Sequence, residues 1–227
     1  HTVLVPNPRD LKSLVAAFRN SGCTGFAGLN TLFVALCNDA DFRAVDFSRL
    51  KLTMSGGMAL TMAAAGRWKE VTGVEIVEGY GMSETSPVIS VNPVNANRLG
   101  TIGIAVPSTE VRIVDDNGNE VAAGEPGELV VRGPQVMLGY WNQPGETAKV
   151  LSPDGWLHTG DVAVVTPEGY LKIVDRKKDM VVVSGFNVYP NEIEEVVVAH
   201  PDVLECAAVG IPDERTGEAL RVFVVPR

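Results

Sequence analysis

Apolar residues recur along this chain with two different spacings, and the change between them falls near Gly100. Ahead of it, Leu11, Leu14, Val15 and Phe18 repeat at the helical period behind Asp10, a residue suited to an N-cap, so residues 10–19 are expected to form an amphipathic helix. An apolar run from Cys23 to Leu29 precedes a helical segment over Thr31–Cys37, and Lys51–Ser55 has strand character. Thr61 stands where it could cap a helix that Gly73 stops, and Val74–Val77 is the next strand. Strands alternating with helices imply parallel strands joined by crossover helices.

Beyond Gly100 the apolar runs shorten to Val111–Val114, Leu129–Val131, Val162–Val165 and Tyr170–Val174. Asp116-Asn117-Gly118 and Pro167-Glu168-Gly169 supply hairpin-type connections between them. This predicts an antiparallel sheet or a small barrel. The character shifts once more after Lys178. Met180–Val183 is a strand, Pro190 sits in the first turn of a helix running from Glu192 to Ala199, and Val203–Ile211 and Leu220–Val225 are strands.

At 227 residues the chain can hold one large domain or two smaller ones with a substantial core. No stretch approaches the roughly 20 apolar residues needed to cross a bilayer, and there is no secretory signal at the start. A first residue of His1 and the closing run Val222-Phe223-Val224-Val225 suggest a piece of a longer polypeptide. The net charge of −9 disfavours nucleic acid as a partner, since phosphate neutralisation needs basic surface. A nucleotide remains compatible, because a local basic run such as Arg176-Lys177-Lys178, or a bound cation, can reverse the field within a cleft. Cys23, Cys37 and Cys206 lack metal-ligand spacing and fit the reduced thiols of a cytosolic protein.

Five polar clusters carry the candidate chemistry: Gly79-Tyr80-Gly81-Met82-Ser83-Glu84-Thr85, Gly127-Glu128-Leu129, Gly155-Trp156-Leu157-His158-Thr159-Gly160-Asp161, Asp175-Arg176-Lys177-Lys178-Asp179 and Ser184-Gly185-Phe186-Asn187-Val188-Tyr189-Pro190. Glycines directly after a strand let a ligand approach the backbone, and a tight strand-exit turn would use the same residues. Ser55-Gly56-Gly57-Met58 offers the same two readings. The Asp161 carboxylate can accept two hydrogen bonds at once, which suits the paired hydroxyls of a ribose, although Gly-Asp pairs are also common in turns. Arg176 brings a planar donor fork, or belongs to a solvated charged turn. Residues 184–190 could equally be an ordinary strand-to-helix connection. Trp141 and Trp156 are expected as packing aromatics, and His158 and His200 show no partner spacing.

In this order the five clusters resemble the core motifs of adenylate-forming enzymes, the superfamily of acyl-CoA synthetases, luciferases and peptide-synthetase adenylation domains. Val106-Pro107-Ser108-Thr109-Glu110, Gly133–Trp141 and Ile173–Met180 look most like bacterial long-chain fatty acid–CoA ligases. The resemblance implies that a fatty acid and ATP form an acyl-adenylate, from which CoA displaces AMP. It implies that Tyr80 stacks on adenine, that Ser83, where threonine is usual, contacts the α-phosphate, and that Glu84 holds Mg²⁺ and acts in catalysis. Gly81 belongs to the same nucleotide site, and Gly56 and Gly57 would pass beside the adenine and the acyl chain. Asp161 and Arg176 would take the ribose. Lys178 would be the hinge on which a C-terminal domain swings between half-reactions, and Gly185 would leave room for the pantetheine arm of CoA.

The implied architecture is the end of a doubly wound α/β subdomain over 1–97, a β-rich barrel-like subdomain over 98–177, and the start of a small α+β domain over 178–227. Two family elements are absent from the chain, a Ser/Thr/Gly-rich phosphate loop and a C-terminal lysine, so these residues alone are expected not to make acyl-CoA. The implied partners are ATP or AMP, a fatty acid and CoA. The setting is cytoplasmic, compatible with a place at the inner face of the membrane and with a homodimer. An aryl-CoA ligase, a fatty acyl-AMP ligase and a nucleotide-binding pseudoenzyme are the alternatives.

Overall fold

The computed structural model describes residues 1–7, 9–213 and 215–226. The chain divides into two compact units, His1–Ser108 with Gln135–Met137, and Thr109–Pro134 with Leu138–Arg227.

In the first unit, α1 (Leu11–Ser21) begins at Asp10, whose carboxylate accepts from the Ser13 backbone N–H at 3.2 Å and its hydroxyl at 2.6 Å. It stops at Gly22, and Leu14, Val15 and Phe18 face inward. There follow β1 (Gly25–Gly28), α2 (Asn30–Asn38), the single-turn α3 (Ala40–Arg43), β2 (Leu52–Ser55), α4 (Met62–Thr72) and β3 (Ile76–Gly81). Thr61 caps α4 by accepting from the Ala64 N–H at 3.2 Å, and left-handed Gly73 ends it. β1, β2 and β3 run parallel, as the alternation of elements implied. β4 (Val88–Val91) and β5 (Ile104–Ala105) extend the same sheet antiparallel, so it is mixed. The core between helices and sheet is aromatic: Phe18, Phe26, Phe33 and Phe42 gather with Trp68, which is wholly buried and donates its indole N–H to Thr53 Oγ1 at 3.1 Å.

The second unit carries two antiparallel sheets. The first is β6 (Glu110–Val114), β7 (Gly127–Arg132), β8 (Leu157–Val165) and β9 (Leu171–Arg176), in chain order. It is open, with β6 and β9 at its edges among the described residues, so the barrel-like expectation is corrected to a sheet without closure. A short helix, α5 (Pro144–Val150), precedes β8. The second sheet has the order β11-β10-β13-β12, built from β10 (Val181–Val183), β11 (Phe186–Val188), β12 (Val203–Asp213) and β13 (Gly217–Pro226), with α6 (Pro190–Val198) between β11 and β12.

α6 has no cap of its own, and a residue outside it takes that role. Asp175, 2% exposed at the end of β9, accepts from the Asn191 backbone N–H and side-chain amide, each at 3.1 Å, and from the Arg176 N–H at 2.7 Å. Both of its oxygens are engaged, and the first turn of α6 is thereby bound to the strand. No helix among the described residues is long and apolar enough to cross a membrane.

Candidate active site

In the first unit the candidate residues gather where β2 and β3 end. These strands are parallel, so both glycine-rich segments leave the same edge, where open α/β sheets place ligands. A Cβ at Gly56 would lie 3.4 Å from the Gly79 carbonyl, so the two segments adjoin. Gly79, Tyr80 and Gly81 are not yet a turn: they remain in β3 and pair with β4. Gly81 has its own reason to be glycine, because a Cβ there would sit 1.8 Å from the Pro87 carbonyl oxygen. The hairpin's backbone therefore excludes any side chain at that position.

Ser83 and Glu84 lie in a short 3₁₀ turn, Ser83–Thr85, with Ser83 exposed and Glu84 half-buried. The buried Thr85 hydroxyl holds this turn: it accepts from the Met82 N–H at 3.2 Å and donates to the Pro87 carbonyl at 2.6 Å. The Glu84 carbonyl accepts from the Met137 N–H at 2.7 Å, which anchors the backbone of this turn. Just upstream, Glu78 is buried, with Oε1 accepting from the Leu60 N–H at 3.3 Å and Oε2 without a hydrogen-bond partner among the described residues. Burial pushes its pKa up, and the Leu60 and Gly100 amides offset part of that rise.

In the second unit Asp161 and Arg176 are brought together from separate motifs. They are direct partners across β8 and β9, with Arg176 Nε 3.9 Å from Asp161 Oδ1. The pair is loose, and the guanidinium is 64% exposed, so it adds little to stability and remains within reach of a ligand. Asp161 is in a strand, not a turn. It closes a bulge: Glu128 faces Val162 and Val130 faces His158, so Leu129 alone spans Thr159, Gly160 and Asp161. Bulges re-aim side chains, here at the cost of ladder bonds that other groups replace. The Thr159 hydroxyl donates to the Leu129 carbonyl at 2.7 Å and accepts from the Asp161 N–H at 3.1 Å, while the Gly160 carbonyl accepts from the Lys177 N–H at 2.8 Å.

Lys178 is exposed in the turn after β9, beside a cavity of about 510 Å³ that Arg176, Met180, Asn191 and Val209 also line. Gly185 lies elsewhere, in a hairpin that joins β10 to β11 and replaces the expected strand-to-helix connection. Ser184 and Gly185 have φ of 52° and 83°, the left-handed pair that a two-residue hairpin turn takes, so the turn itself accounts for the glycine.

Two expectations about other side chains are corrected. Trp141 is not a packing residue, being 89% exposed, whereas Trp156 is buried beneath the guanidinium groups of Arg112 and Arg132 at 4.4 and 4.8 Å. His158 does have a partner: its Nδ1 is 3.2 Å from Glu128 Oε2, a cross-strand neighbour that local spacing could not reveal.

A mixed α/β sheet ending in glycine-rich polar loops, followed along the chain by an antiparallel sheet, matches the solved structures of adenylate-forming enzymes. The chain belongs to the AMP-binding enzyme family, whose model matches residues 1–141, with the AMP-binding enzyme C-terminal domain matching residues 192–227. It is 54% identical over 226 residues to a long-chain-fatty-acid–CoA ligase of Escherichia coli O157:H7, covering 99% of this chain and 40% of that protein. The corresponding ligase of Bacillus subtilis is 43% identical, covering 89% of this chain and 36% of the relative. Among solved structures, ATP-bound MatB from Rhodopseudomonas palustris superposes with a TM-score of 0.87 at 33% identity, over 99% of this chain and 43% of that one. The chain thus spans about two fifths of the length of the curated relatives it matches.

Proposed function

We propose that this chain is the nucleotide-binding and hinge portion of an ATP-dependent long-chain fatty acid–CoA ligase. The observation that carries the reading is the cross-strand pairing of Asp161 with Arg176, which joins two motifs at one position on β8 and β9. The similarity to long-chain-fatty-acid–CoA ligases along 99% of the chain supports the choice of acid.

In this reading Tyr80 stacks on the adenine, Gly56, Gly57 and Gly81 let backbone approach the nucleotide, and Ser83 donates to the α-phosphate. Asp161 accepts from the two ribose hydroxyls while Arg176 donates to the same sugar. The fatty carboxylate attacks the α-phosphorus and pyrophosphate leaves. The CoA thiol, losing its proton, then attacks the acyl carbonyl, and AMP leaves. Catalysis is positional and electrostatic, with no acylated side chain. Lys178 is the hinge between the two steps and starts the C-terminal domain, and Gly185 lies along the pantetheine path.

Glu84 is the residue for Mg²⁺. Among the described residues no three His, Cys, Asp or Glu side chains cluster to cage a metal. A single half-buried carboxylate on an anchored turn suits an ion that keeps its waters and rides on substrate phosphates. When bound, Mg²⁺ would offset the charge of those phosphates.

The test uses the full-length ligase with ATP, CoA and a panel of acids from acetate to oleate plus benzoates. Long-chain acids should be preferred, and Asp161→Ala should lower kcat/KM for ATP by roughly 10²-fold, from hydrogen bonds to a charged group worth about 1.5–3 kcal/mol each. A folded Asp161→Ala protein with unchanged constants for ATP would remove the ribose assignment, and a preference for benzoates would remove the choice of acid.

A further inference from the structure

The Gly127-Glu128-Leu129 cluster has no part in the mechanism above, yet its carboxylate lies under the bulge that presents Asp161. We propose that Glu128 is a positioning residue for nucleotide recognition: it seats Thr159-Gly160-Asp161 so that the Asp161 carboxylate meets the ribose hydroxyls. This rests on the ribose reading of Asp161.

The geometry is specific. Glu128 extends from β7 and its side chain is only 11% exposed. Oε1 accepts from the Gly160 N–H at 3.2 Å, the amide next to Asp161 in the bulge. Oε2 lies 3.2 Å from both Lys177 Nζ and His158 Nδ1. A carboxylate this enclosed is costly unless its oxygens are satisfied. Here the donors are the Gly160 amide, next to Asp161 on β8, and Lys177, which follows Arg176, the partner of Asp161 across the strands. Lys177 is steadied in turn by Asp116 at 2.8 Å. Gly160 is therefore held on both sides, its N–H by Glu128 and its carbonyl by the Lys177 backbone. Without an acceptor at Glu128, the Gly160 amide loses its partner in a half-buried strand, and the bulge must rotate to recover one. Asp161 turns with it.

A role limited to holding the sheet together would weaken every nucleotide equally, whereas seating Asp161 affects only what Asp161 reads. The experiment therefore compares ATP with 2′-deoxy-ATP and 3′-deoxy-ATP as substrates of the full-length ligase carrying Glu128→Ala, Glu128→Gln or Asp161→Ala. For Glu128→Ala, kcat/KM for ATP should fall about tenfold, while that for each deoxynucleotide, which keeps one hydroxyl for Asp161, should fall only about threefold, so discrimination shrinks about threefold. Glu128→Gln keeps an acceptor for Gly160 and should recover most of the discrimination. Equal losses for all three nucleotides, or full discrimination in Glu128→Ala, would overturn the proposal.

Asp161→Ala separates the two ideas: if it leaves discrimination intact, the ribose reading itself fails. Amide hydrogen exchange on the full-length protein then still tests the seating. Glu128→Ala should speed exchange at Gly160 at least tenfold relative to the Val131 amide, as loss of one bond's protection requires. Unchanged protection at Gly160 would rule out the seating whatever Asp161 binds.

Discussion

Replacing Glu78 with glutamine should stabilise the first unit at neutral pH, and the gain should vanish in acid. Glu78 is 9% exposed on β3, one oxygen accepts from Leu60 and the other has no partner among the described residues. Burial raises its pKa above the ordinary carboxylate value. The folded protein therefore holds this proton more tightly than the unfolded chain does, so charging the group opposes folding. Its contribution to stability is most favourable below the unfolded carboxylate value and is lost as pH rises through the folded one. Glutamine keeps the carbonyl for Leu60 and is neutral at every pH. Its amide would lie on the same sheet face as Ser55, the register partner of Glu78, whose buried hydroxyl also has no partner among the described residues. Leaving a buried polar atom unsatisfied costs about 1–3 kcal/mol, so Glu78→Gln should gain about 1–2 kcal/mol at pH 8 and about nothing at pH 4. Urea unfolding followed by the fluorescence of Trp68, fully buried in the same unit, reads the change once Trp141 and Trp156 are replaced by phenylalanine. Equal midpoints at pH 8, or a gain undiminished at pH 4, would refute the reasoning.

Three further outcomes are expected. Thr85→Val, nearly isosteric, removes a hydroxyl that bonds both the Met82 N–H and the Pro87 carbonyl, leaves the direct Met82–Pro87 backbone bond in place, and should cost about 1–2 kcal/mol in urea unfolding; no change would mean that the turn holds without it. Asp175→Ala strands three donors, two of which water can partly reach on exposed Asn191, and should cost about 2–4 kcal/mol in the unfolding of the second unit; a cost below about 0.5 kcal/mol would deny the cap. In the full-length protein, on the function and hinge proposed above, Lys178→Pro fixes φ at about −65° and should leave pyrophosphate release intact for at least one turnover while acyl-CoA formation falls steeply. Lys178→Ala should do far less, and equal loss of both half-reactions in the proline variant would count against the hinge.

The parts of this fold that local signals specify were legible in the sequence. Asp10 and Thr61 mark helix starts, Gly22 and Gly73 stand where helices stop, and Pro167-Glu168-Gly169 joins β8 to β9. What escaped had no local signature. α5 buries none of its residues, so it has no apolar stripe to betray a period. β4 is four residues long with Ser90 in the middle, and it is a strand because β3 continues through Gly81 to meet it. The Ser184-Gly185 turn lacks the Asn-Gly or Asp-Gly signal of most tight hairpins. Of the site, Asp161 and Arg176 were legible as candidates, but not as partners, because the pairing belongs to the register of β8 and β9. Glu128 with His158, and Asp175 with Asn191, are contacts between residues distant in sequence, which no spacing rule covers.

Asp175 also sets the mechanics of the segment that follows it. Its bonds to Asn191 tie the end of β9 to the start of α6, so the intervening residues, with Lys178 and the β10–β11 hairpin among them, form a loop closed by a noncovalent clasp. A closed loop couples its torsions: rotation at one residue must be absorbed by others unless the clasp opens. Lengthening such a loop by a residue or two adds little to its closure entropy, since that term grows only with the logarithm of length. Rotation at Lys178 is different, because with the clasp closed it must be absorbed within the residues up to Asn191. The segment therefore tolerates insertion more readily than rotation, and any reorientation of it works against a side chain that lies outside the turn.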